Sequence, residues 1–151
     1  MAAIAIALTA RSGEISETDG FRACGARCLA QCAAIGVAAG LAALGIGRLL
    51  GVVGDARRGA LPFIDLCLLG PVAEEIVYRG LVLRRGHRLM PAGWPIAVSA
   101  LIFGASHGSP AGMAMAAAAG LLFGWARQRK GTVLAPIVIH AVMNGIQYFF
   151  A

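Results

Sequence analysis

Three short stretches place proton-moving side chains inside apolar surroundings: "GPVAEEIVYRG" (Gly70–Gly80), "FGASHG" (Phe103–Gly108) and "HAVMN" (His140–Asn144). Helical spacing divides their polar residues into roles. Glu75 and Arg79 are four apart with the glutamate N-terminal, the favourable order for an ion pair along a helix, so each can neutralise the other. Glu74 points about 100° away from Glu75 and has Tyr78 one turn on, which leaves it without a local partner. His140 and Asn144 share a face by the same spacing, as do Phe103 and His107. A carboxylate, two imidazoles and an amide are the parts needed to hydrolyse an amide bond. The carboxylate serves as base to a water, and donors meet the negative charge that develops on the carbonyl oxygen, one such donor contributing about 3 to 4 kcal/mol.

These groups must be held by membrane helices. Of 151 residues, 59% are hydrophobic and 13% are charged, and mean hydropathy is +0.78. Soluble domains carry about 25% charged residues, so this chain cannot build an ordinary water-facing surface. The fold class expected is all-α, a polytopic transmembrane bundle of about four to five helices around a buried polar site. The spans read from the sequence are Cys28 to Val53, Leu61 to Leu83, Trp94 to His107, Ala111 to Trp125 after the "SP" break at Ser109 and Pro110, and Thr132 to Phe150. Each is long enough, or nearly so, to enter a hydrocarbon core of about 30 Å. Met1 to Ala10 is too short to span and lacks the basic flank of a signal peptide. Residues 1–27 therefore form a peripheral segment, and 28–151 the membrane-embedded core. Gly40, Gly45, Gly47, Gly120 and Gly124 are small-residue positions where neighbouring backbones can approach.

Basic residues set the orientation. With the N-terminus cytoplasmic, Arg11, Arg22, Arg27, Arg84, Arg85, Arg88, Arg127, Arg129 and Lys130 lie inside and Arg48, Arg57 and Arg58 outside. The net charge of +6 is then membrane anchoring, and no basic stripe remains for a nucleic acid. A multi-pass location in the plasma (inner) membrane follows, with no nucleic-acid partner. Counting about 1.5 Å per residue from the cytoplasmic loops puts Glu74, His140 and His107 roughly 14 to 18 Å deep, near the midplane. An ionisable group costs about 2.5 to 3.5 kcal/mol there, so three at one depth indicate a single functional site.

The motifs resemble those of a known family. "EEIVYRG" is similar to the EExxxR motif, "FGASHG" to FxxxH and "HAVMN" to HxxxN of the CPBP intramembrane proteases, the group of type II CAAX prenyl endopeptidases and bacteriocin-processing (Abi) proteins. The order is right, and the resemblance covers roughly Leu61 to Asn144. It implies an intramembrane endopeptidase acting on a membrane-embedded or lipidated protein or peptide. It further implies that Glu74 and His107 activate the attacking water, that His140 and Asn144 stabilise the oxyanion, and that Glu75 and Arg79 complete the first motif. Family members have about eight spans, so the shorter chain implies an oligomer or a partner subunit.

Other readings use the same residues. Glu74, His107 and His140 form a His₂Glu set like that of catalytic zinc sites, which makes a divalent metal the alternative cofactor. No HExxH is present and each ligand comes from a different helix, so no cofactor is the favoured expectation. A non-catalytic membrane binding or bacteriocin-immunity protein would keep the constellation as a polar packing cluster, and an ion or proton pathway would use the same acids and histidines. Cys24, Cys28 and Cys32 share one helix face. They read as small apolar packing residues, and with Cys67 alone no disulfide framework is expected. His87 reads as a solvated loop residue, Asp65 as facing headgroups, and Phe103 as packing beside the site.

Overall fold

The computed structural model describes residues 20–51 and 59–151, and among these the only regular structure is helical. The expected segment Met1 to Ala10 lies outside the described residues, as do residues 52–58 with Arg57 and Arg58. Helix α1 is Ala26–Leu49, α2 is an unbroken helical run over 60–89, α3 is Trp94–Ala105, α4 is Pro110–Lys130 and α5 is Leu134–Phe150. The all-α class is as expected. Among the described residues one helix, α1, is both long and apolar enough to cross a membrane by itself. The others are shorter apolar helices or carry basic ends or polar residues.

Helix limits differ from the expected ones for local reasons. The basic stretch Arg84 to Arg88, read as a loop, is the helical segment Leu83–Leu89 at the end of α2, and His87 sits exposed in its last turn. Arginine is a good helix former, and cations near a helix C-terminus are favoured by its dipole. The same holds for α4, which runs on through Arg127, Arg129 and Lys130 until Gly131 adopts φ 68° and caps it with an N–H to the Arg127 carbonyl. Helix α3 stops at Ala105, so His107 lies in the turn after it. Pro110 begins α4 with Ser109 as its N-cap, the Ser109 hydroxyl accepting from the Gly112 N–H at 3.1 Å.

Helix α2 departs from α-geometry twice. Its segments Asp65–Leu69 and Ile76–Val82 are π-helical, on either side of the α-segment Gly70–Glu75 that carries both glutamates. Pro71 accounts for the first. A proline has no N–H to give and its ring crowds the carbonyl four residues before it, so the preceding turn widens. The Gly70 N–H accordingly reaches back to the Asp65 carbonyl, five residues away. The Leu66 carbonyl thereby loses its α-helical donor, and its π-helical donor would be the missing N–H of Pro71. That orphaned oxygen must be met from outside the helix.

Helices α1 and α5 pack along each other, α3 packs on α4, and α5 closes the site against α2 and α4. Close approach depends on small residues. A Cβ added at Gly120 would lie 2.9 Å from Ala100 Cα, and one at Gly40 3.0 Å from the Ile146 Cβ, whereas Gly45 faces open space and contributes no such contact. The buried core gathers Cys32, Phe103, Phe123, Ala126, Ala135, Ile139 and Met143 from four helices. Outward faces remain apolar, with Leu41, Ile46, Leu68, Leu101, Trp125 and Phe149 exposed. Such surfaces suit lipid rather than water.

Candidate active site

Glu75 and Arg79 are both fully buried, at 0% and 1% exposure, and pair at 3.0 Å between Oε1 and Nη1. Arg79 also donates from Nη2 to the Gly120 carbonyl at 3.1 Å. Its guanidinium carbon lies 4.6 Å from the centre of the Phe103 ring and 5.1 Å from that of Phe123. Aromatic faces attract a cation and exclude water, so the arginine is held in a dry pocket by three helices.

The same Glu75 oxygen takes a second hydrogen bond. His140 Nδ1 lies 3.1 Å from Glu75 Oε1, which assigns the proton to Nδ1 and turns Nε2 the other way. Nε2 then faces Glu74, whose Oε2 is 3.8 Å off. Glu74, without a partner on its own helix as expected, has one from another helix. Its neighbour comes from α5, across the bundle, and a sequence period within one helix cannot register it. The separation exceeds a direct hydrogen bond and leaves the pair free to act on something placed beside it. Unlike Glu75, the Glu74 side chain is 41% exposed. Two adjacent glutamates thus occupy opposite settings, one sealed against arginine and one open.

His107 reaches the site from the turn after α3. Its Nδ1 hydrogen-bonds the Phe103 carbonyl at 3.0 Å, leaving Nε2 as the outward nitrogen. Phe103 touches both histidines, with ring centres 4.9 Å from His107 and 5.8 Å from His140. It also carries Arg79 on its face, so it is the hub on which the polar groups are arranged rather than packing to one side. Phe123 stacks on His140 at 4.7 Å and 21° and was not among the expected site residues. Its apolar side chain gave no chemical signal. The available signal was its place on α4, one turn from Gly120, where that helix meets Arg79.

Asn144 has a backbone partner on α2. Its Nδ2 donates to the Leu66 carbonyl at 2.8 Å, the oxygen that Pro71 orphans. It shares a face with His140 but ties α5 to the π-turn of α2 directly before the glutamates. An amide nitrogen carries two hydrogens, so one donor remains after this bond. Asp65 is exposed at the same end of α2, as its position at a helix end implied.

A family model described as type II CAAX prenyl endopeptidase Rce1-like matches residues 57–146, more than half of the chain. The chain belongs to this Rce1-like family. No curated protein and no solved structure matches it. The matched region begins before α2 and ends within α5, so it contains every residue of the Glu74–Glu75–Arg79–His107–His140–Asn144 set and leaves out α1. Family membership supports a protease of the CAAX type associated with membranes.

Proposed function

We propose that the chain is a multi-pass intramembrane endopeptidase, in the plasma membrane, that hydrolyses a peptide bond of a membrane-associated protein or peptide. Glu74 is the base. The observation that carries this reading is one imidazole, His140, set between two glutamates of which only Glu74 is open. Glu75, compensated by Arg79, accepts from His140 Nδ1–H and fixes the ring's direction, as a carboxylate does for a catalytic histidine elsewhere. Glu74, with His107 beside it, takes a proton from water as the oxygen bonds to the carbonyl carbon. The carbonyl electrons move onto oxygen, where the remaining Asn144 N–H can donate, and His140 too when it is an imidazolium carrying a second proton on Nε2. The proton held by Glu74 passes to the leaving nitrogen as the carbon–nitrogen bond breaks.

Exchange of Glu74 for Gln tests this: cleavage of a membrane-inserted peptide should stop while the protein still inserts and accumulates. Turnover at the wild-type rate by that variant removes Glu74 from the mechanism. Absent cleavage by the wild type, together with proton or ion flux in liposomes that Glu74→Gln blocks, selects the pathway reading. Binding of a peptide without either activity selects the immunity or binding-protein reading.

A divalent metal is a second reading with its own observation. A histidine that gives its other nitrogen to a carboxylate is the usual outer support of a zinc ligand, and His140 does so with Glu75. Glu74, His107 and His140 would hold the ion, which would polarise the scissile carbonyl or its attacking water. The set offers three ligands of the right type, but their donor atoms are not gathered as those of Cys24, Cys28 and Cys32 are, so the three side chains would have to draw together around the ion. Metal-independent hydrolysis remains the favoured form, because Glu74 and His140 already supply a base and a donor.

A further inference from the structure

Cys24, Cys28 and Cys32 form a cluster at the opposite end of the chain's chemistry. Their three sulfurs lie within 4.8 Å of one another. Contrary to expectation, Cys24 and Cys28 are joined as a disulfide, with Cys32 left as a buried thiol. Cys24 sits just before α1, where the backbone is not yet helical, and this lets its side chain turn onto Cys28. Packing residues alone do not need three sulfurs to converge.

From this geometry we propose that the reduced cluster is a binding site for one thiophilic d¹⁰ metal ion, Cu(I) or Zn(II), held by the Cys24, Cys28 and Cys32 thiolates. The donor set contains sulfur only, and soft thiolates select these ions. Zinc–sulfur bonds of about 2.3 Å place neighbouring sulfurs at roughly 3.8 Å, so Cys32 must draw in by about an ångström at most, and the Cys24 and Cys28 sulfurs must part once their disulfide is reduced. Cu(I) is satisfied by three thiolates in a plane, and Zn(II) takes solvent as its fourth ligand.

The setting of the two partly exposed cysteines favours thiolate. Cys24 and Cys28 flank the N-terminus of α1, whose first-turn N–H groups receive no side-chain cap and favour negative charge. Lys130, held to Gln31 at 2.8 Å, brings a cation to the turn that precedes Cys32. On the cytoplasmic side assigned by the basic residues, thiol reductants keep sulfurs reduced, and a cysteine pattern there is more often a metal site than a staple. A dithiol reductant converts the disulfide to two thiols and is itself oxidised to a disulfide. Three thiol protons then leave to solvent as the ion binds.

The segment is also worth fixing. The Val133 N–H donates to the Gly20 carbonyl at 2.7 Å, and the Thr132 hydroxyl donates to the Arg22 carbonyl at 2.7 Å. An ion on Cys24 would therefore lock the residues before α1 against the turn between α4 and α5.

The test uses the full chain, reduced and purified without metal in detergent, then given Zn(II) or Cu(I) in separate arms and desalted. About one ion per chain should remain, its absorption spectrum should show about three sulfurs near 2.3 Å, and maleimide labelling of the three thiols should be blocked. Retention in one arm only identifies the ion. The Cys24→Ser/Cys28→Ser double variant alters the partly exposed members and spares the buried one, and should lose affinity by at least about 100-fold. Reduced wild-type protein that holds no ion in either arm, or whose thiols label at the same rate with and without metal, overturns the proposal. An ion kept by the double variant overturns it equally.

Discussion

Replacing Glu75 by Gln removes the compensating charge of a fully buried arginine. The carbonyl of the introduced amide can still accept a hydrogen bond from Arg79, and the Gly120 carbonyl and the faces of Phe103 and Phe123 stay in place. The loss is therefore electrostatic. Removing one partner of a buried pair costs about 3 to 5 kcal/mol, and the retained hydrogen bonds put this case near about 3. For a chain of this size that corresponds to a fall in Tm of about 6 to 12 °C. Glu74→Gln should differ, because Glu74 is 41% exposed and its approach to His140 is 3.8 Å. Partly exposed ion pairs contribute about 1 kcal/mol or less, so its Tm should move by no more than about 4 °C. Adding Arg79→Met to Glu75→Gln takes both charges out and should recover part of the loss, less about 1 kcal/mol for the donor that the Gly120 carbonyl forfeits. The assay is thermal unfolding of detergent-solubilised protein beside specific activity. Equal loss of stability by Glu74→Gln and Glu75→Gln, with activity kept in both, would refute the division of labour and make the pair one structural cluster.

Three further outcomes follow from the same geometry. Asn144→Ala leaves the Leu66 carbonyl unmet and should cost about 1 to 3 kcal/mol, whereas in a Pro71→Ala background, where residue 71 regains its N–H, the same change should cost measurably less; equal costs in the two backgrounds would separate Asn144 from the π-turn. Gly120→Ala drives a methyl to within 2.9 Å of Ala100 Cα and 3.1 Å of Arg79 Nη2, and should lower stability by about 1 to 3 kcal/mol by melting analysis, while Gly45→Ala, facing open space, should not. Phenanthroline should leave peptide cleavage largely intact; loss of activity restored by zinc would transfer the mechanism to the metal reading.

The site was legible in the sequence where its parts lie within one helix. The Glu75–Arg79 pair follows from a spacing of four and an apolar setting, and the structure places it there. Contacts between helices were legible only as a shared depth for Glu74, His107 and His140, not as particular pairings. His140 meets both glutamates across the bundle, Phe123 stacks beneath it, and Gly120 offers its carbonyl to Arg79, none of which leaves a period in the chain. Asn144 illustrates a second limit. Its partner is a backbone carbonyl released by Pro71, so the signal was the proline, and the helical period of α2 conceals the π-turn it causes. Helix ends were misjudged where charge stood in for helix termination, at Arg84 to Arg88 and at Arg127 to Lys130, because arginine-rich turns continue a helix readily.

The central claim, hydrolysis by water that Glu74 activates, is tested most directly by reconstituting the chain in liposomes with membrane-inserted peptides in ¹⁸O-labelled water and weighing the products. The wild type should release fragments carrying about one ¹⁸O in the new carboxyl group, and Glu74→Gln, correctly folded by its melting curve, should release none. Labelled fragments from Glu74→Gln at the wild-type rate would contradict the account.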